Sequence, residues 1–273
     1  MKEFKSFYKT VTASEGKRCK YSTRLDLYGC GCSHDCDYCY AKSLLDFRGL
    51  WHPEEPAVAD VDKIRRKLDK VPAGTILRLG GMTDCFQPCE EQHRVTQQTI
   101  RLLNERGIGY LIVTKSDLVA EYMDIMDKQL AHIQVSTTWL PHEKAVPTER
   151  RIKGIERLFE GGFDVAVRLS PFVPEIVDFD RLNSISCDKV QVEFLRVNHW
   201  IEKWMPMDFS HYTLKSGGYK HLPLEEKVAA LAKITGFKQI SVCEDVPEHF
   251  TYWKEKVNSN PKDCCNLRKD EKQ

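Results

Sequence analysis

Short apolar runs alternate with longer amphipathic stretches through the middle of the chain. This alternation is typical of parallel strands that are joined by crossover helices. It predicts six strands, at 24–28, 75–80, 109–114, 132–137, 164–169 and 189–195. Apolar residues at helical spacing predict intervening helices at 61–70, 90–106, 118–129 and 149–160. The expected fold class is α/β, in the form of a partial (β/α)6 TIM-like barrel.

The pattern changes after residue 195 and predicts a C-terminal α/β extension. An aromatic and proline-bearing stretch at 200–219 precedes a predicted helix at 224–235, a strand at 239–242 and a helix at 248–257. A polar tail with two adjacent cysteines follows at 258–273. We expect an N-terminal extension at 1–23, a barrel core at 24–200, and an extension at 201–273 that covers the barrel.

Glycines mark the ends of two predicted helices. Gly107 follows one helix, and the pair Gly161 and Gly162 follows another. Glycine is favoured where a helix ends in a residue with positive φ, so both helix ends have a physical cause.

Composition favours a cytosolic protein with metal or redox chemistry. With 273 residues and 41% hydrophobic content, the chain can bury a full core. No run approaches the roughly 18 apolar residues of a membrane span, and the N-terminus has no apolar signal core. We therefore expect the protein in the cytoplasm, or in the host cytoplasm if it is viral.

Charge and cysteine content narrow the possible partners. Net charge is +1, so no overall basic charge indicates a nucleic-acid partner. Eleven cysteines in a reducing compartment indicate metal binding rather than disulfides.

Three cysteines in the spacing C-x3-C-x2-C are the strongest chemical signal. Cys32, Cys36 and Cys39 follow the first predicted strand, and the chemistry of a parallel barrel collects at the carboxyl ends of its strands. Three thiolates can hold three irons of a [4Fe-4S] cubane and leave the fourth iron open for chemistry. The alternative is a zinc site with His34 or Cys30 as fourth ligand.

The cysteine run, with Tyr38 before its third cysteine, resembles the signature of the radical S-adenosylmethionine (SAM) enzymes. The resemblance implies one [4Fe-4S] cluster whose open iron chelates SAM and passes an electron to the sulfonium, which gives methionine and a 5′-deoxyadenosyl radical. It implies a reductant such as flavodoxin or ferredoxin. A glycine pair after the second strand, Gly80 and Gly81 with nearby Thr83, is similar to the family segment that binds the methionine amino group.

Further blocks resemble the spore photoproduct lyase branch of that family, over residues 24–196. The matching blocks are Cys36-Asp37-Tyr38-Cys39-Tyr40, Val113-Thr114-Lys115, Gln134-Val135-Ser136-Thr137, Arg150-Arg151-Ile152 and Ser170-Pro171-Phe172-Val173-Pro174. The likeness implies that Tyr38 lies against the adenine and that Lys115 and Ser136 hold the polar end or the ribose of SAM. Tyr40 would relay a hydrogen atom.

The remaining cysteines leave several hypotheses open. The lyase has a cysteine hydrogen donor after its second strand, and Cys85 is the candidate here, although neither Cys85 nor Cys89 is in the lyase register. Cys264 and Cys265, with Cys85 and Cys89, could ligate a second cluster, or could remain buried or free thiols. A vicinal thiol that closes over the site and quenches a substrate radical is a further interpretation.

The expected function is radical SAM catalysis by a lyase or isomerase on DNA or a modified nucleotide. The resemblance favours hydrogen abstraction from a thymine-derived carbon, as a rearrangement in thymine hypermodification of bacteriophage type. The alternatives are DNA repair like that of the lyase, modification of a peptide or metabolite, and a non-catalytic metal or redox sensor. Glu193 and Arg196 end the sixth strand and are candidates for substrate contact. The aromatic stretch from Phe194 could stack a base or close the barrel side.

Overall fold

The computed structural model describes residues 4–9, 19–141, 144–243 and 245–268. Parts of the predicted N-terminal extension, 1–3 and 10–18, and the last tail residues, 269–273, lie outside the described residues. No helix within the described ranges has both the length and the apolar character that a membrane crossing needs.

A curved sheet of eight strands forms the centre of the molecule, in the order β1-β2-β5-β6-β7-β8-β9-β12. Its strands are β1 (Phe7–Lys9), β2 (Thr23–Leu25), β5 (Ile76–Leu79), β6 (Gly109–Thr114), β7 (Ala131–Ser136), β8 (Asp164–Phe172), β9 (Lys189–Phe194) and β12 (Gln239–Val242). Strand β1 pairs antiparallel with β2, and the other seven strands are parallel. The arrangement confirms the expected partial TIM-like barrel.

Two small two-stranded sheets, nine α-helices and two 3₁₀ helices, Asp117–Tyr122 and Pro174–Ile176, complete the described chain. The small sheets pair β3 (Tyr28–Gly29) with β4 (Ala57–Val58), and β10 (Leu214–Ser216) with β11 (Tyr219–His221), each antiparallel. The helices are α1 (Tyr40–Asp46), α2 (Val61–Leu68), α3 (Glu90–His93), α4 (Val95–Glu105), α5 (Thr148–Glu160), α6 (Phe179–Asn183), α7 (His199–Trp204), α8 (Leu224–Leu231) and α9 (Pro247–Lys256).

Three predicted elements differ from the structure. The strand expected at 24–28 is divided into β2 and β3. The helix expected at 90–106 breaks at Arg94, whose φ is +52°, because the buried Glu90 carboxylate accepts the backbone N–H groups of Thr96 and Gln97 and caps a new helix. The helix expected at 118–129 is a 3₁₀ helix at Asp117–Tyr122, since apolar spacing does not separate the two helix types.

Both predicted helix ends are confirmed, and at each of them one glycine has a positive φ. Gly107 has φ +61° and Gly162 has φ +78°, whereas Gly161 stays helical at φ −68°.

The strands alternate between an apolar outer face and a polar inner face. In β8, Val165, Val167 and Leu169 belong to the apolar core that helices such as α4 and α5 cover. The intervening Asp164 and Arg168 are buried and make polar contacts to neighbouring strands inside the barrel. A polar interior therefore crosses the barrel from one end to the other.

The predicted extension joins this sheet rather than standing apart from it. Strand β12 pairs in parallel with β9, from Gln239 opposite Lys189 to Val242 opposite Val192. The division at residue 200 remains a prediction, although the hydrogen bonding of the sheet is continuous across it.

Candidate functional site

A cavity of about 520 Å3 lies at the carboxyl ends of the strands, and the three motif cysteines line it together. Cys32, Cys36 and Cys39 are on the loop between β3 and α1. Two tight turns fold this loop, because Asp35 N–H donates to Cys32 O at 3.0 Å and Cys39 N–H donates to Cys36 O at 3.1 Å. Asp35 has φ +41°, and its carboxylate accepts from Trp51 Nε1 at 3.2 Å. The spacing thus places three thiols on one wall.

Burial makes these thiols poor acids, so their thiolates form only with a cation beside them. Desolvation, with the charges of Asp84 and Cys36, raises the pKa of Cys32 well above its usual value. Desolvation also raises the pKa of Cys39. Their thiolates therefore need a compensating cation, and a set of three sulfurs suits iron in an iron-sulfur cluster.

The zinc alternative fits the geometry less well. His34 lines the cavity, but its Nε2 lies 3.2 Å from Asp84 Oδ2, so the imidazole faces a carboxylate. Across the described ranges, no three His, Cys, Asp or Glu side chains converge closely enough to hold one ion. A cubane requires no such convergence, since each of its three thiolates binds a different iron.

The glycine pair forms a close backbone approach on the cavity wall. Gly80 has φ +82°, and a Cβ there would lie 3.0 Å from Thr83 O and 3.3 Å from Val113 O. Glycine is therefore required by both conformation and space. Gly81 O accepts a hydrogen bond from the Tyr40 hydroxyl, which joins the cysteine loop to this wall.

Asp84 organises the floor of the cavity, and the sequence reasoning missed it. Its carboxylate accepts from Thr114 Oγ1 and Lys115 N–H, each at 2.7 Å, and from Phe86 N–H at 2.8 Å. Although burial opposes ionisation, His34 and these donors lower the pKa of Asp84. The fixed anion ties the ends of β5 and β6 together. In the sequence, only the position of Asp84 just after the glycine pair and Thr83 indicated that it belongs to the site.

The predicted SAM contacts other than the glycines reach the same cavity. Lys115 Nζ lies 5.3 Å from the centre of the Tyr38 ring and donates to Ser170 O at 3.2 Å. Ser136 is buried and lines the cavity. Thr83 also lines it, but its hydroxyl donates to Tyr28 O at 2.5 Å and so supports the wall.

A partly buried carboxylate with several guanidinium groups forms the opposite wall. Glu193 pairs with Arg168 and, at 3.1 Å, with Arg196, and it accepts from Ser170 Oγ at 3.0 Å. Burial opposes its ionisation, but the charges of Arg168, Arg196 and Arg78 lower the pKa of Glu193 to about 2. Sequence reasoning named Glu193 and Arg196 but missed Arg168, whose only signal was a charged residue within a buried strand.

Cys85 does not reach this cavity. It lies in the apolar core and is 1% exposed. Thr96 Oγ1 donates to its backbone oxygen, and desolvation raises the pKa of its thiol well above the usual value. The position of Cys85 therefore argues against the expected role as hydrogen donor, because the turn after Asp84 directs the chain away from the cavity wall.

Cys264 and Cys265 lie away from the cavity mouth as well as from Cys85 and Cys89. The tail that contains them passes through the barrel interior, where Lys189 Nζ donates to Asn266 O at 2.6 Å and Arg268 N–H donates to Asp164 Oδ2 at 2.7 Å. Asp164 and Lys189 are the first residues of β8 and β9, so the tail fills the end opposite the cavity. This placement supports neither a shared second cluster with Cys85 nor a thiol that closes over the site.

Most of the aromatic stretch closes the side of the barrel. Phe209 and Tyr212 pack in the core, and Trp200 stacks near Trp204 at 6.0 Å. Phe194 and Tyr219 line the cavity. The Phe194 ring also packs against Trp253, with ring centres 6.1 Å apart.

Comparisons with known proteins agree with this architecture. No protein-family model matches the chain. An uncharacterized protein of Methanocaldococcus jannaschii is 25% identical over 164 residues, which cover 55% of this chain and 60% of that protein. The chain thus spans less than two thirds of this curated relative.

Solved structures show the fold. A variant of spore photoproduct lyase with bound AdoMet and dinucleoside spore photoproduct superposes with TM-score 0.63 at 15% identity, over 82% of this chain and 77% of that chain. SuiB of Streptococcus suis bound to S-adenosylmethionine gives TM-score 0.56 at 13% identity, over 85% and 52%. The chain therefore has the fold of radical SAM enzymes. Within that class, its expected likeness to spore photoproduct lyase is confirmed at the level of the fold.

Proposed function

We propose that this protein is a radical SAM enzyme in which Cys32, Cys36 and Cys39 hold a [4Fe-4S] cluster. The observation that supports it most is that the three thiols share one cavity with a glycine cradle at the carboxyl ends of parallel strands. When bound, the cluster and SAM would deliver one electron to the sulfonium and so supply a carbon radical that abstracts hydrogen.

The protein's own residues would fix the cofactor in place. The backbone at Gly80 and Gly81 offers a surface without a Cβ for the methionine end of SAM. The Tyr38 ring, fixed below the Lys115 ammonium, offers an apolar face for the adenine, and Ser136 offers a hydroxyl on the same cavity. Lys115 can pair with the SAM carboxylate.

Tyr40 is the best placed residue for a hydrogen-atom relay. Its hydroxyl donates to Gly81 O and lies 3.4 Å from Arg24 Nη1, and the side chain lines the cavity. The phenol is thus held beside the glycine cradle with its hydrogen directed at a fixed acceptor. We propose that it passes a hydrogen atom between substrate and cofactor.

The substrate we propose is a thymine-derived carbon in DNA or in a modified nucleotide, and the reaction is a rearrangement in thymine hypermodification. The spore photoproduct lyase neighbour holds a dinucleoside lesion. Although net charge is only +1, basic side chains outnumber acidic ones around the cavity: Arg24, Arg78, Lys115, Arg168 and Arg196 face Asp84 and Glu193. The cavity lining is therefore basic although the whole chain is nearly neutral. Guanidinium groups bind phosphate well, so this lining suits a nucleotide or DNA.

Rearrangement is favoured over repair because Cys85 lies in the core. Repair like that of the lyase would use a cysteine donor in the cavity, and Cys85 does not line it. An isomerisation can instead return its hydrogen atom through Tyr40 to the cofactor.

The experiment is anaerobic reconstitution with iron and sulfide, followed by dithionite, SAM and an assay for 5′-deoxyadenosine. We expect the product from the wild type and from Cys187→Ala, a buried cysteine outside the cavity. We expect none from Cys36→Ala. A non-catalytic sensor would form no product with any variant.

The substrate is tested by mass spectrometry of oligonucleotides that contain modified thymines. A mass-neutral isomer whose formation weakens as salt rises supports rearrangement in DNA, because phosphate contacts depend on salt. Restored thymine pairs would indicate repair, and turnover of peptides or metabolites alone would indicate the other alternative.

A further inference from the structure

Four cysteines lie together inside the barrel, separate from the three that line the cavity. They are Cys19, Cys243, Cys264 and Cys265. Cys264 Sγ lies 3.8 Å from Cys243 Sγ. Cys19 and Cys265 belong to one small apolar cluster with Leu111, against which Cys264 packs. This interior cysteine cluster takes no part in the proposed SAM chemistry.

Backbone contacts on both sides hold the two touching thiols in place. On the strand side, Cys243 N–H donates to Val192 O at 2.8 Å, which continues the β12–β9 ladder. On the tail side, Gln191 Nε2 donates to Cys264 O at 2.8 Å, and Asn266 Nδ2 donates to Ser241 Oγ at 2.7 Å. The contact therefore joins two fixed segments rather than two mobile side chains.

We propose that Cys243 and Cys264 form a reversible disulfide by exchange with a low-molecular-weight disulfide such as glutathione disulfide. The Cys264 thiolate attacks one sulfur of glutathione disulfide and releases one glutathione thiolate. The Cys243 thiolate then attacks the mixed disulfide and releases the second. The two protein thiols lose two protons and two electrons, and glutathione disulfide gains them.

Cys264 must lose its proton before it attacks. Hydrogen bonds with Cys243 and Cys265, together with burial, raise the pKa of Cys264 well above its usual value, so the exchange should become faster as the pH rises. The contact between the Cys243 and Cys264 sulfur atoms, at 3.8 Å, fits thiol exchange.

The disulfide would fasten the tail to β12. It would also act next to the cavity, because Gln191 contacts both the tail and Arg168, and Arg168 pairs with Glu193 in the cavity wall. Closing the roughly 20-residue loop would raise the melting temperature by roughly 5 to 10 °C.

The test equilibrates the full-length protein anaerobically with mixtures of glutathione and glutathione disulfide, then alkylates free thiols and digests with trypsin. We expect a linked pair of peptides, 239–254 and 263–268, about 2 Da lighter than the sum of the free peptides. The pair should return to free thiols as glutathione rises. Cys243→Ser and Cys264→Ser should abolish the link and the rise in melting temperature.

Two controls keep the result specific. Cys265→Ser should retain the link, which assigns it to Cys264, and Cys187→Ser should leave both link and melting temperature unchanged. Alkylation of both Cys243 and Cys264 at every glutathione ratio would overturn the proposal. Stoichiometric metal that is retained by Cys32→Ala/Cys36→Ala/Cys39→Ala protein but lost on Cys243→Ser would also overturn it.

Discussion

At the carboxyl ends of the strands three cysteines and several arginines line an open cavity, whereas at the opposite end the polar interior is filled by the protein's own tail. Both ends hold carboxylates that are paired with cations: the partly buried Glu193 with Arg168 at the cavity, and the buried Asp164 with Lys189 at the filled end. The residue types are alike, so composition does not distinguish the two ends. What distinguishes them is whether the chain itself occupies the space.

The filled end shows what a satisfied polar interior looks like. Tyr21 OH donates to Asp263 Oδ2, Lys189 to Asn266 O, and the tail covers Leu111. At the cavity, by contrast, the buried Arg78 Nε has no hydrogen-bond partner within the described part of the chain. A buried donor without a partner is costly, so we interpret the cavity as shaped for a ligand.

Deleting residues 261–273 should have the largest effect on stability. The deletion uncovers Leu111 and leaves Asp164 and Lys189 without their tail partners. Several buried polar groups then lose their hydrogen bonds at roughly 1–3 kcal/mol each, so unfolding free energy should fall by about 5 kcal/mol or more. Denaturant unfolding of the apoprotein measures it.

The matched change at the open end is Cys36→Ala, which should cost the apoprotein only about 1 kcal/mol. Equal losses from the two variants would contradict the distinction between a filled end and an open one.

Arg168→Leu should have the next largest effect, since Arg168 lies between the two ends. Its guanidinium donates to Gln134 Oε1 at 2.8 Å and pairs with Glu193. Removing one partner of a buried ion pair costs roughly 3 kcal/mol. Arg157→Leu, which breaks only the exposed pair with Glu121, should cost less than about 1 kcal/mol. Thermal and denaturant unfolding measure the loss of unfolding free energy in both variants. A similar loss from both would show that the contacts of Arg168 with Gln134 and Glu193 do not stabilise the fold.

Acid should weaken both ends over the same pH range. Ion pairing lowers the pKa of Glu193 to about 2, and the contacts with His132 and Lys189 lower that of Asp164 to about 2, in each case against desolvation. Folded values below the unfolded ones mean that the ionised groups stabilise the protein above pH 4.5 and lose this effect as pH falls toward 2.

Glu193 should contribute about 3 kcal/mol and Asp164 about 2 kcal/mol, so Glu193→Gln and Asp164→Asn should each flatten the curve of unfolding free energy against pH between 4.5 and 2. A curve unchanged by Asp164→Asn would exclude its pairing at the filled end.

Gly80→Ala should have a modest effect on stability but a large one on activity. Gly80 and Gly107 both have positive φ, so the strained backbone of an alanine at either should cost about 1 kcal/mol, with a further cost from crowding at Gly80 only. A Cβ at Gly107 meets no atom within 4 Å, whereas one at Gly80 crowds Thr83 O at 3.0 Å. Production of 5′-deoxyadenosine should fall at least roughly tenfold for Gly80→Ala only. Equal activity of Gly80→Ala and Gly107→Ala would contradict the proposed role of the Gly80 backbone in binding SAM.

The sequence predicted the elements whose signals are local. Strand β6 was predicted at its observed bounds because an apolar run begins at a glycine and ends at a polar segment. The cysteine loop was predicted because its three ligands lie within eight residues. The tail was not placed, because it depends on pairs such as Asp164 with Arg268, which are 104 residues apart.

The same limit applies to the site. Asp84 and Arg168 act through partners on other strands, such as Thr114 and Glu193. A single polar residue in or just after a buried strand does not reveal which side chain on a neighbouring strand it contacts. The position of Cys85 could not be predicted for the related reason that a turn, rather than spacing, decides which wall a residue reaches.

The central claim is that three thiols leave one iron open for SAM at the unfilled end of the barrel. The most direct test is electron paramagnetic resonance of the reconstituted, dithionite-reduced protein before and after addition of SAM. We predict a [4Fe-4S]⁺ signal that changes on SAM addition and is absent from Cys36→Ala. Bound zinc, or an iron signal that SAM leaves unchanged, would contradict the account.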